Sequence, residues 1–287
     1  MAAKSVYRTT ESTSDVRNDS LLSVQSDDQE FETDLEDDVD EDNRGGHWKF
    51  NLKTTAERYF EACETLSTVP AAKFPRQCQT GFVDLKHYGI RDIGAQAIAI
   101  ALESDITVTS LCLHDNGIGD TGSIALSRML RDNCFVTHLD LSENKIGQEG
   151  AIAIGDMLQE NASLQELNLS GCGIHGKDIK RFLNALSSNP HLRSLDFSYN
   201  DLGDEGASHL GRALSKNQKV KYLDVSWNNI RATGIEELAN GLARNTNLKE
   251  LVLSWNCFSD EGATHLCTAL VHNHYLKVLE MQSCGNL

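Results

Sequence analysis

Three large aromatic residues recur at one spacing in the second half of the chain. Tyr199, Trp227 and Trp255 are separated by the same 28-residue interval. Acidic residues precede them by a few positions, namely Asp196, Asp224 and Glu250. Exposed aromatic side chains beside carboxylates are typical of protein-binding hot spots, so these residues could recognise a basic or aromatic surface of a protein partner. The alternative is that Trp-Asn is a tolerated variant of the Ser-x-Asn turn and that the rings pack on one another.

A second set of chemically active residues lies earlier in the chain. Cys112, His114, His138 and Asp140 carry thiol, imidazole and carboxylate groups, which can all bind zinc. However, residues one repeat apart should lie side by side on parallel strands, and this register spreads the four side chains along the surface. No Cys-x-x-Cys motif is present either. We therefore interpret the set as a polar surface cluster and expect no metal ion and no cofactor.

Both sets belong to a 28-residue repeat that recurs eight times without insertion or deletion. Each copy holds a pair of apolar residues separated by one position. The pairs are Val83/Leu85, Leu111/Leu113, Leu139/Leu141, Leu167/Leu169, Leu195/Phe197, Leu223/Val225, Leu251/Leu253 and Leu279/Met281. Self-similarity of this length predicts a solenoid in which each repeat contacts only its neighbours.

The remainder of each repeat has the pattern of a helix. Apolar residues recur four positions apart, as in Leu126/Leu130 and Leu210/Leu214, which places them on one helical face. Carboxylates such as Asp120 and Asp204 lie at the helix starts, where we expect them to interact with the dipole of their own helix. One short strand and one helix per repeat predict a parallel sheet lined by helices.

An asparagine follows most of the apolar pairs by three residues. Because an asparagine side chain donates and accepts hydrogen bonds, a stacked column of asparagines could satisfy the buried backbone of neighbouring turns. Cys172, Cys284 and Tyr88 occupy this position in the other repeats. We expect the column to be a buried structural ladder formed by Asn116, Asn144, Asn200, Asn228 and Asn256.

The full pattern is Leu-x-x-Leu-x-Leu-x-x-Asn-x-Ile-Gly, followed by Gly-Ala and an apolar helix. It resembles the leucine-rich repeats of the ribonuclease-inhibitor-like type over about residues 82–287. Among these, the uniform 28-residue repeats behind an acidic leader are most similar to the leucine-rich repeat-containing protein 74 group. The resemblance implies an α/β solenoid with a concave parallel sheet of eight strands, convex helices and an incomplete last repeat. It also implies a binding scaffold rather than an enzyme.

The residues before the repeats have a different composition. Residues 1–46 hold 14 of the 42 acidic residues but only 4 of the 26 basic ones, which predicts a disordered acidic leader. Ser26 and Thr33 are predicted phosphorylation sites there, because acidic-directed kinases prefer such surroundings. Residues 47–81 are predicted to form an N-terminal cap, with a helix from Ala56 to Leu66 that Pro70 and Pro75 keep from extending to the first strand.

Composition and motifs favour a protein partner. A formal net charge of −16 disfavours nucleic acid, and phosphate-binding loops, His-Glu-x-x-His and Gly-x-Ser-x-Gly are missing. No signal peptide and no membrane-spanning segment are evident, so we expect a cytoplasmic protein that is a monomer or a weak dimer. The predicted function is a non-enzymatic interaction scaffold that binds its partner on the concave face. The alternatives are a regulator of a small GTPase and an assembly element that dimerises through its open C-terminal edge.

Overall fold

The computed structural model describes residues 53–285, which contain eight short β-strands. They are β1 Phe82–Asp84, β2 Ser110–Cys112, β3 His138–Asp140, β4 Glu166–Asn168, β5 Ser194–Asp196, β6 Tyr222–Asp224, β7 Glu250–Val252 and β8 Val278–Glu280. All eight lie in one parallel sheet in the order of the sequence. Each strand is paired with the strands one repeat away, so that Leu139 lies between Leu111 and Leu167. The predicted α/β solenoid is confirmed.

A helix follows each of the first seven strands, and two further helices precede β1. The helices are α1 Thr55–Thr65, α2 Phe74–Gln77, α3 Arg91–Leu102, α4 Asp120–Asp132, α5 Gln148–Glu160, α6 Lys180–Ser188, α7 Gly203–Lys216, α8 Ala232–Leu242 and α9 Ser259–His272. Within the described residues, every helix is too short or too polar to span a membrane.

The apolar repeat positions form a single continuous core between the sheet and the helices. The central residue of nearly every strand is fully buried; Leu195 and Leu251, for example, have no exposed surface. Helical residues such as Leu210 and Leu238 pack against them from the other side and are equally buried. Since every repeat contributes the same set of apolar groups, the core extends along the array instead of closing around one centre.

Helix starts in the middle of the array are capped by the preceding repeat. Oδ1 of Asp92 in α3 accepts hydrogen bonds from the backbone N–H groups of Gly119 and Gly122 at 2.7 and 2.9 Å, at the start of α4. Asp204 in α7 does the same for α8 through Arg231 N–H at 2.7 Å. These carboxylates lie in the first turns of their own helices, as predicted, and the structure shows that they also bond to the start of the next helix.

A second column of asparagines lies where the helices end. Its members are Asn133, Asn161, Asn189, Asn217, Asn245 and Asn273, all of them buried. Nδ2 of Asn217 donates to the carbonyls of Leu186 and Asn189 in the preceding repeat at 2.6 and 3.0 Å. Its Oδ1 accepts from the N–H groups of Lys219 and Val220, which closes its own turn. These asparagines therefore link neighbouring repeats as well as ending the helices.

The segment before β1 packs on the first repeat. Helix α1 begins with a capping box, in which Thr54 and Glu57 bond reciprocally. The side chain of Arg58 donates to the carbonyl of Ala101 in α3 at 3.2 Å. Pro75 does not merely end a helix as predicted; it lies in the first turn of α2, where a missing N–H costs nothing. The predicted leader, with Ser26 and Thr33, lies outside the described residues, as does the first part of the predicted cap.

Candidate protein-binding site

The turn after each strand places one residue in the left-handed backbone conformation. This residue comes directly before the position that holds the ladder asparagines Asn116, Asn144, Asn200, Asn228 and Asn256, which we call the strand-end column. We call the set of preceding residues the rim column. Its members are His87, Asp115, Glu143, Gly171, Tyr199, Trp227, Trp255 and Ser283, with φ between 46° and 64°. Positive φ is uncommon for residues other than glycine. The backbone therefore presents these side chains at an unusual angle at the carboxyl ends of the strands.

The strand-end asparagines explain why the turn can hold this conformation. Nδ2 of Asn144 donates to the carbonyls of Leu113 and Leu141 at 2.9 and 2.8 Å, and its Oδ1 accepts from the N–H groups of Asn116 and Ile118 at 3.0 Å. Asn144 is buried and so is Asn228, at 3 % and 0 % exposure. Each asparagine thus satisfies backbone groups of two repeats and fixes the turn on which the rim residue lies.

Three repeats depart from this column, as the sequence indicates, at Tyr88, Cys172 and Cys284. The thiol of Cys172 donates to the carbonyl of Leu141 at 3.2 Å and so replaces one of the two asparagine donors. Tyr88, by contrast, does not enter the column: its side chain is exposed and its ring lies under the ammonium of Lys73, 5.2 Å from the nitrogen. The asparagine column therefore begins at Asn116.

The three aromatic rim residues form one stack. The ring centroids of Tyr199 and Trp227 are 5.4 Å apart and those of Trp227 and Trp255 are 4.5 Å apart, with an interplanar angle of 12° in both pairs. The side chains are 56 %, 39 % and 42 % exposed. They lie beyond the strand ends and not on the strands. Mutual stacking does occur, yet it leaves large aromatic surfaces open to solvent.

The predicted carboxylates occupy a different part of the surface. Asp196 and Asp224 are the last residues of β5 and β6, and Glu250 is the first of β7. At about 3.3 Å per residue, Glu250 can lie up to about 16 Å from Trp255 along the chain. The three acids therefore lie on the strands of the sheet, whereas the aromatic residues lie in the turns that follow the strands. Together with Glu280 of β8 they form a cluster of four carboxylates on the sheet. Within the described residues, none of the four makes an ion pair with a basic side chain.

The carboxylates on the sheet also take part in the turns. Oδ1 of Asp196 and Oδ1 of Asp224 each accept the backbone N–H two residues later, both at 2.8 Å. Burial raises the pKa of Asp196, and repulsion from Asp224 and Asp140 acts in the same direction, against the lowering effect of the bonds to Ser198. Burial and nearby carboxylates also raise the pKa of the Tyr222 hydroxyl. The sheet surface is thus negatively charged and partly desolvated.

A depression of about 230 Å³ adjoins the aromatic stack. It is lined by Trp227 and Trp255 together with Asn200, Asn229, Asn256, Cys257 and Ser283. A separate depression of about 260 Å³ on the sheet includes Asp196 and Tyr222 and extends to Cys112 and Asp140. Sequence reasoning missed the first depression, because Asn229 and Cys257 come after the asparagine column, where the repeat pattern carries no functional signal.

Of the residues considered for zinc binding, Cys112 and Asp140 contact each other, whereas the two histidines have other partners. The thiol of Cys112 donates to Asp140 at 3.2 Å, while Nδ1 of His114 lies 2.8 Å from the hydroxyl of Ser142. His138 instead faces Glu166, with 3.5 Å between Nε2 and Oε1. Burial raises the pKa of Cys112 to about 12, which keeps the thiol protonated. Within residues 53–285, no group of three or more potential ligands is arranged to hold a metal ion.

Comparison with known proteins identifies the family. The leucine-rich repeat family matches residues 104–127, 132–155, 160–183, 188–211, 216–239 and 244–267, which together make up half of the chain. The chain belongs to the leucine-rich repeat family. The matched segments begin before each strand and end within the following helix, in agreement with the observed repeat.

Two solved structures are similar to this chain at 16 % sequence identity. One is titled leiomodin-1 actin-binding site 2 and has a TM-score of 0.39, covering 71 % of this chain and 90 % of its own. The other is the tropomodulin C-terminal domain of Caenorhabditis elegans, with a TM-score of 0.45, covering 54 % and 93 %. At this level of similarity they do not indicate what this chain binds.

Proposed function

We propose that this chain is a non-enzymatic scaffold that binds a protein partner through its concave sheet and rim column. The observation that carries this proposal is the aromatic stack of Tyr199, Trp227 and Trp255. Three large stacked rings at the strand ends offer a rigid apolar surface, so their side chains lose little conformational entropy on binding. Aromatic residues of this kind dominate binding energy at protein interfaces.

The charges of the same face favour a basic partner. Asp196, Asp224, Glu250 and Glu280 make no ion pair within the described residues, and the whole chain has a formal net charge of −16. Opposite charge on the partner would increase the association rate and would relieve the mutual repulsion of these carboxylates. We therefore expect the partner to present an aromatic or apolar residue to the stack and basic residues to the sheet.

The finer family assignment and the cellular location belong to this proposal. Uniform 28-residue repeats support the ribonuclease-inhibitor-like type and, within it, the leucine-rich repeat-containing protein 74 group. All eight cysteines are free thiols, and thiols of this kind persist in reducing compartments. We infer from this that the scaffold works in the cytoplasm, as a monomer or a weak dimer.

The test compares two matched pairs of aromatic truncations in the full chain. Trp227→Ala/Trp255→Ala removes two rings from the stack. Phe135→Ala/Tyr275→Ala removes two exposed aromatic residues from the opposite ends of the strands and serves as the control. Proteins retained by the wild-type chain from a cytosolic extract are quantified by mass spectrometry, and the affinity of any partner is then measured with purified components.

We expect the stack variant to bind the partner at least about 30-fold more weakly, since truncation of a hot-spot tryptophan costs about 2 kcal/mol or more. The control variant should bind like the wild type. If the folded stack variant binds the partner as tightly as the wild type, the aromatic stack is not the binding site. If only the Phe135→Ala/Tyr275→Ala control loses binding, the site lies at the opposite ends of the strands.

A further inference from the structure

A row of basic residues lies at the amino ends of the last four strands. Each member comes directly before a strand, and the four belong to successive repeats: Arg193, Lys221, Lys249 and Lys277. We call them the basic row. The equivalent residues before β1–β4 are all uncharged, namely Gly81, Thr109, Thr137 and Gln165. Because only 26 of the 287 residues are lysine or arginine, four in succession at one repeat position distinguish this half of the edge.

Backbone hydrogen bonds hold the four residues side by side. The N–H of Lys221 donates to the carbonyl of Arg193 at 2.7 Å. The N–H of Lys249 donates to the carbonyl of Lys221, and that of Lys277 donates to the carbonyl of Lys249, both at 2.8 Å. Neighbouring members are therefore about 4.8 Å apart, as paired strands are, and the row is about 14 Å long. Arg193, Lys221 and Lys277 are exposed, and Lys249 is partly exposed.

The basic row has no acidic partner among residues 53–285. None of its four members forms an ion pair there, although Glu250 directly follows Lys249 in the chain. Asp196 and Asp224 lie at the other ends of their strands, about 10 Å further along. This distance is comparable with the screening length in physiological salt. Since like charges on neighbouring strands repel one another, an anion placed along the row would be stabilising.

The segments that lead into β5–β8 contain basic residues and no acidic ones. They hold seven lysine or arginine residues in total, and they span residues 187–193, 215–221, 243–249 and 271–277. The equivalent segments before β2–β4 hold four acidic residues and one arginine, and they span residues 103–109, 131–137 and 159–165. The basic edge of the array thus ends where an acidic edge begins.

The helix dipole accounts for only some of these basic residues. Lys216 and Arg244 lie at or next to the carboxyl ends of α7 and α8, where a cation interacts favourably with the dipole of the helix. Members of the basic row come five or more residues after the preceding helix ends. The dipole effect is confined to the last turn of a helix, so it does not explain the row.

The length and the borders of the row favour a short acidic peptide as its ligand. About 14 Å corresponds to about four or five residues of an extended chain. Aspartate and glutamate carboxylates accept charge-assisted hydrogen bonds from ammonium and guanidinium groups. A nucleic acid or a membrane surface is much longer than the row. It would therefore be repelled by residues of the acidic edge, such as Glu103 and Asp132, and by the formal net charge of −16.

We propose that the basic row binds an acidic segment of a protein partner, which runs along the amino ends of β5–β8. This inference goes beyond the proposed function, because the row lies at the opposite ends of the strands from the aromatic stack and selects the opposite charge. The carboxylates of the bound segment accept hydrogen bonds from the lysine ammonium groups and from the guanidinium of Arg193.

Two matched variants of the full chain test the row. The row variant carries Arg193→Gln, Lys221→Gln, Lys249→Gln and Lys277→Gln. The control variant neutralises one arginine and three lysines that are exposed and make no ion pair within the described residues, but lie elsewhere: Lys86→Gln, Lys145→Gln, Lys177→Gln and Arg231→Gln. Both variants lose the same charge. Their circular dichroism spectra and unfolding midpoints should stay close to those of the wild type, since the substituted side chains lie at the surface.

The probe is a fluorescein-labelled peptide with the sequence Gly-Ser-Asp-Glu-Asp-Glu-Asp-Glu-Ser-Gly, compared with a version in which asparagine and glutamine replace the acids. Binding is measured by fluorescence anisotropy at about 50 mM salt, where exposed charges are weakly screened. We expect saturable binding of the acidic peptide with a dissociation constant of about 0.1–1 mM. The amide peptide should bind at least about tenfold more weakly, because it carries no charge.

The row variant should bind the acidic peptide at least about tenfold more weakly than the control variant, since each of four exposed ion pairs changes affinity by up to a few-fold. Carbodiimide coupling, which joins lysine amines to carboxylates in contact, should attach the peptide to Lys221, Lys249 and Lys277 of the wild type. The proposal is wrong if the two variants bind equally or if coupling is as frequent at Lys145 and Lys177. It is also wrong if a single-stranded oligothymidylate of equal charge, or phosphatidylserine vesicles, bind the row more tightly than the peptide.

The stack variant separates this inference from the proposed function. Trp227→Ala/Trp255→Ala should bind the acidic peptide like the wild type, because its rings lie beyond the other ends of the strands. A captured partner that is lost with this variant, together with equal peptide binding by the row and control variants, would support the stack and disprove the row. A partner that the stack variant retains, together with peptide binding that depends on the row, would disprove the stack as the main site and support the row.

Discussion

Trp227 and Asn228 are neighbours in the chain and represent two adjacent columns with opposite properties. Asn228 belongs to the strand-end column, which is buried and keeps nearly the same residue type from Asn116 to Asn256. Trp227 belongs to the rim column, which is largely exposed and contains histidine, acids, glycine, aromatics and serine in the same backbone conformation. The fold thus fixes the inward side chain of each turn and leaves the outward one free to vary between repeats.

The reason for the contrast is hydrogen bonding. A strand-end asparagine bonds to backbone groups of its own turn and of the preceding turn, and these groups have no access to water. A rim side chain does not have to satisfy buried backbone groups, because its own backbone N–H is already bonded to the next repeat. The N–H of Glu143, for example, donates to the carbonyl of Ser170 at 2.7 Å. Substitutions in the two columns should therefore affect different properties of the protein.

The largest effect on stability is expected from Asn144→Ala. This substitution leaves buried carbonyls and N–H groups of two repeats without partners, which should lower the free energy of unfolding by about 1–3 kcal/mol. Its neighbour Glu143→Gln should change it by less than about 0.5 kcal/mol. Urea unfolding followed by circular dichroism compares the two. Identical midpoints for Asn144→Ala and the wild type would remove the ladder explanation.

Trp227→Ala should show the reverse behaviour. We expect a loss of about 2 kcal/mol or more in partner binding at every salt concentration, because the contact is apolar. The unfolding midpoint should shift only slightly, since the ring is 39 % exposed. Titration calorimetry at low and high salt, paired with thermal unfolding of the same variant, makes the measurement. If Trp227→Ala instead greatly lowered the free energy of unfolding and left partner binding intact, the rim residue would have the structural role assigned here to the strand-end column.

Cys172→Asn restores the asparagine column where it is interrupted. The thiol donates mainly to Leu141, at 3.2 Å, whereas an asparagine would supply two donors and a stronger acceptor. We expect a gain of about 0.5–1.5 kcal/mol in unfolding free energy, as for a typical buried hydrogen bond. Cys134→Asn, at an exposed cysteine outside the column, is the control and should gain nothing. A gain no larger than that of the control would show that the cysteine already satisfies the turn.

Asp196→Asn should increase stability slightly, by less than about 1 kcal/mol at neutral pH. The pKa of Asp196 is raised in the folded state, so its ionisation opposes folding and the stability of the wild type decreases as pH rises through that pKa. Asparagine keeps the turn, since Asn168 accepts the equivalent N–H bond from Ser170 at 2.9 Å. Unfolding at about pH 7 and about pH 3 should show a gain only at the higher pH. A gain of equal size at both values would rule out ionisation as the cause.

The smallest effect is expected from Asp224→Asn on partner binding. Charges at the edge of an interface mainly tune association rate and salt dependence, so affinity should decrease chiefly at low salt. Association rates measured by surface plasmon resonance at two salt concentrations test this. An equal decrease in affinity at both salt concentrations would show that Asp224 lies within the desolvated centre of the interface and not at its charged edge.

The repeat made much of the fold predictable, because a constant 28-residue period fixes register, strand order and core positions together. The helix ends show where this reasoning stops. Asn217 is visible in the sequence as a polar helix end, but its bonds to Leu186 and Asn189 depend on how neighbouring helices are spaced. The bond from Asp204 to the start of α8 depends on the same spacing, since the carboxylate lies in the first turn of α7 and also reaches Arg231 N–H in the next repeat.

The sequence predicted the column of three aromatic residues but not how their side chains are arranged. Equal spacing of Tyr199, Trp227 and Trp255 in the sequence determined that they lie in one column of a repeat, because residues one period apart become neighbours in a parallel array. Only the tertiary structure decided that the turn holds them at positive φ beyond the strands, so that their rings stack at the rim while Asp196, Asp224 and Glu250 lie on the sheet. It also brought the side chain of Glu143 over Gly171, in the next repeat. The side-chain direction depends on the backbone conformation of each turn, and the repeat period does not encode it.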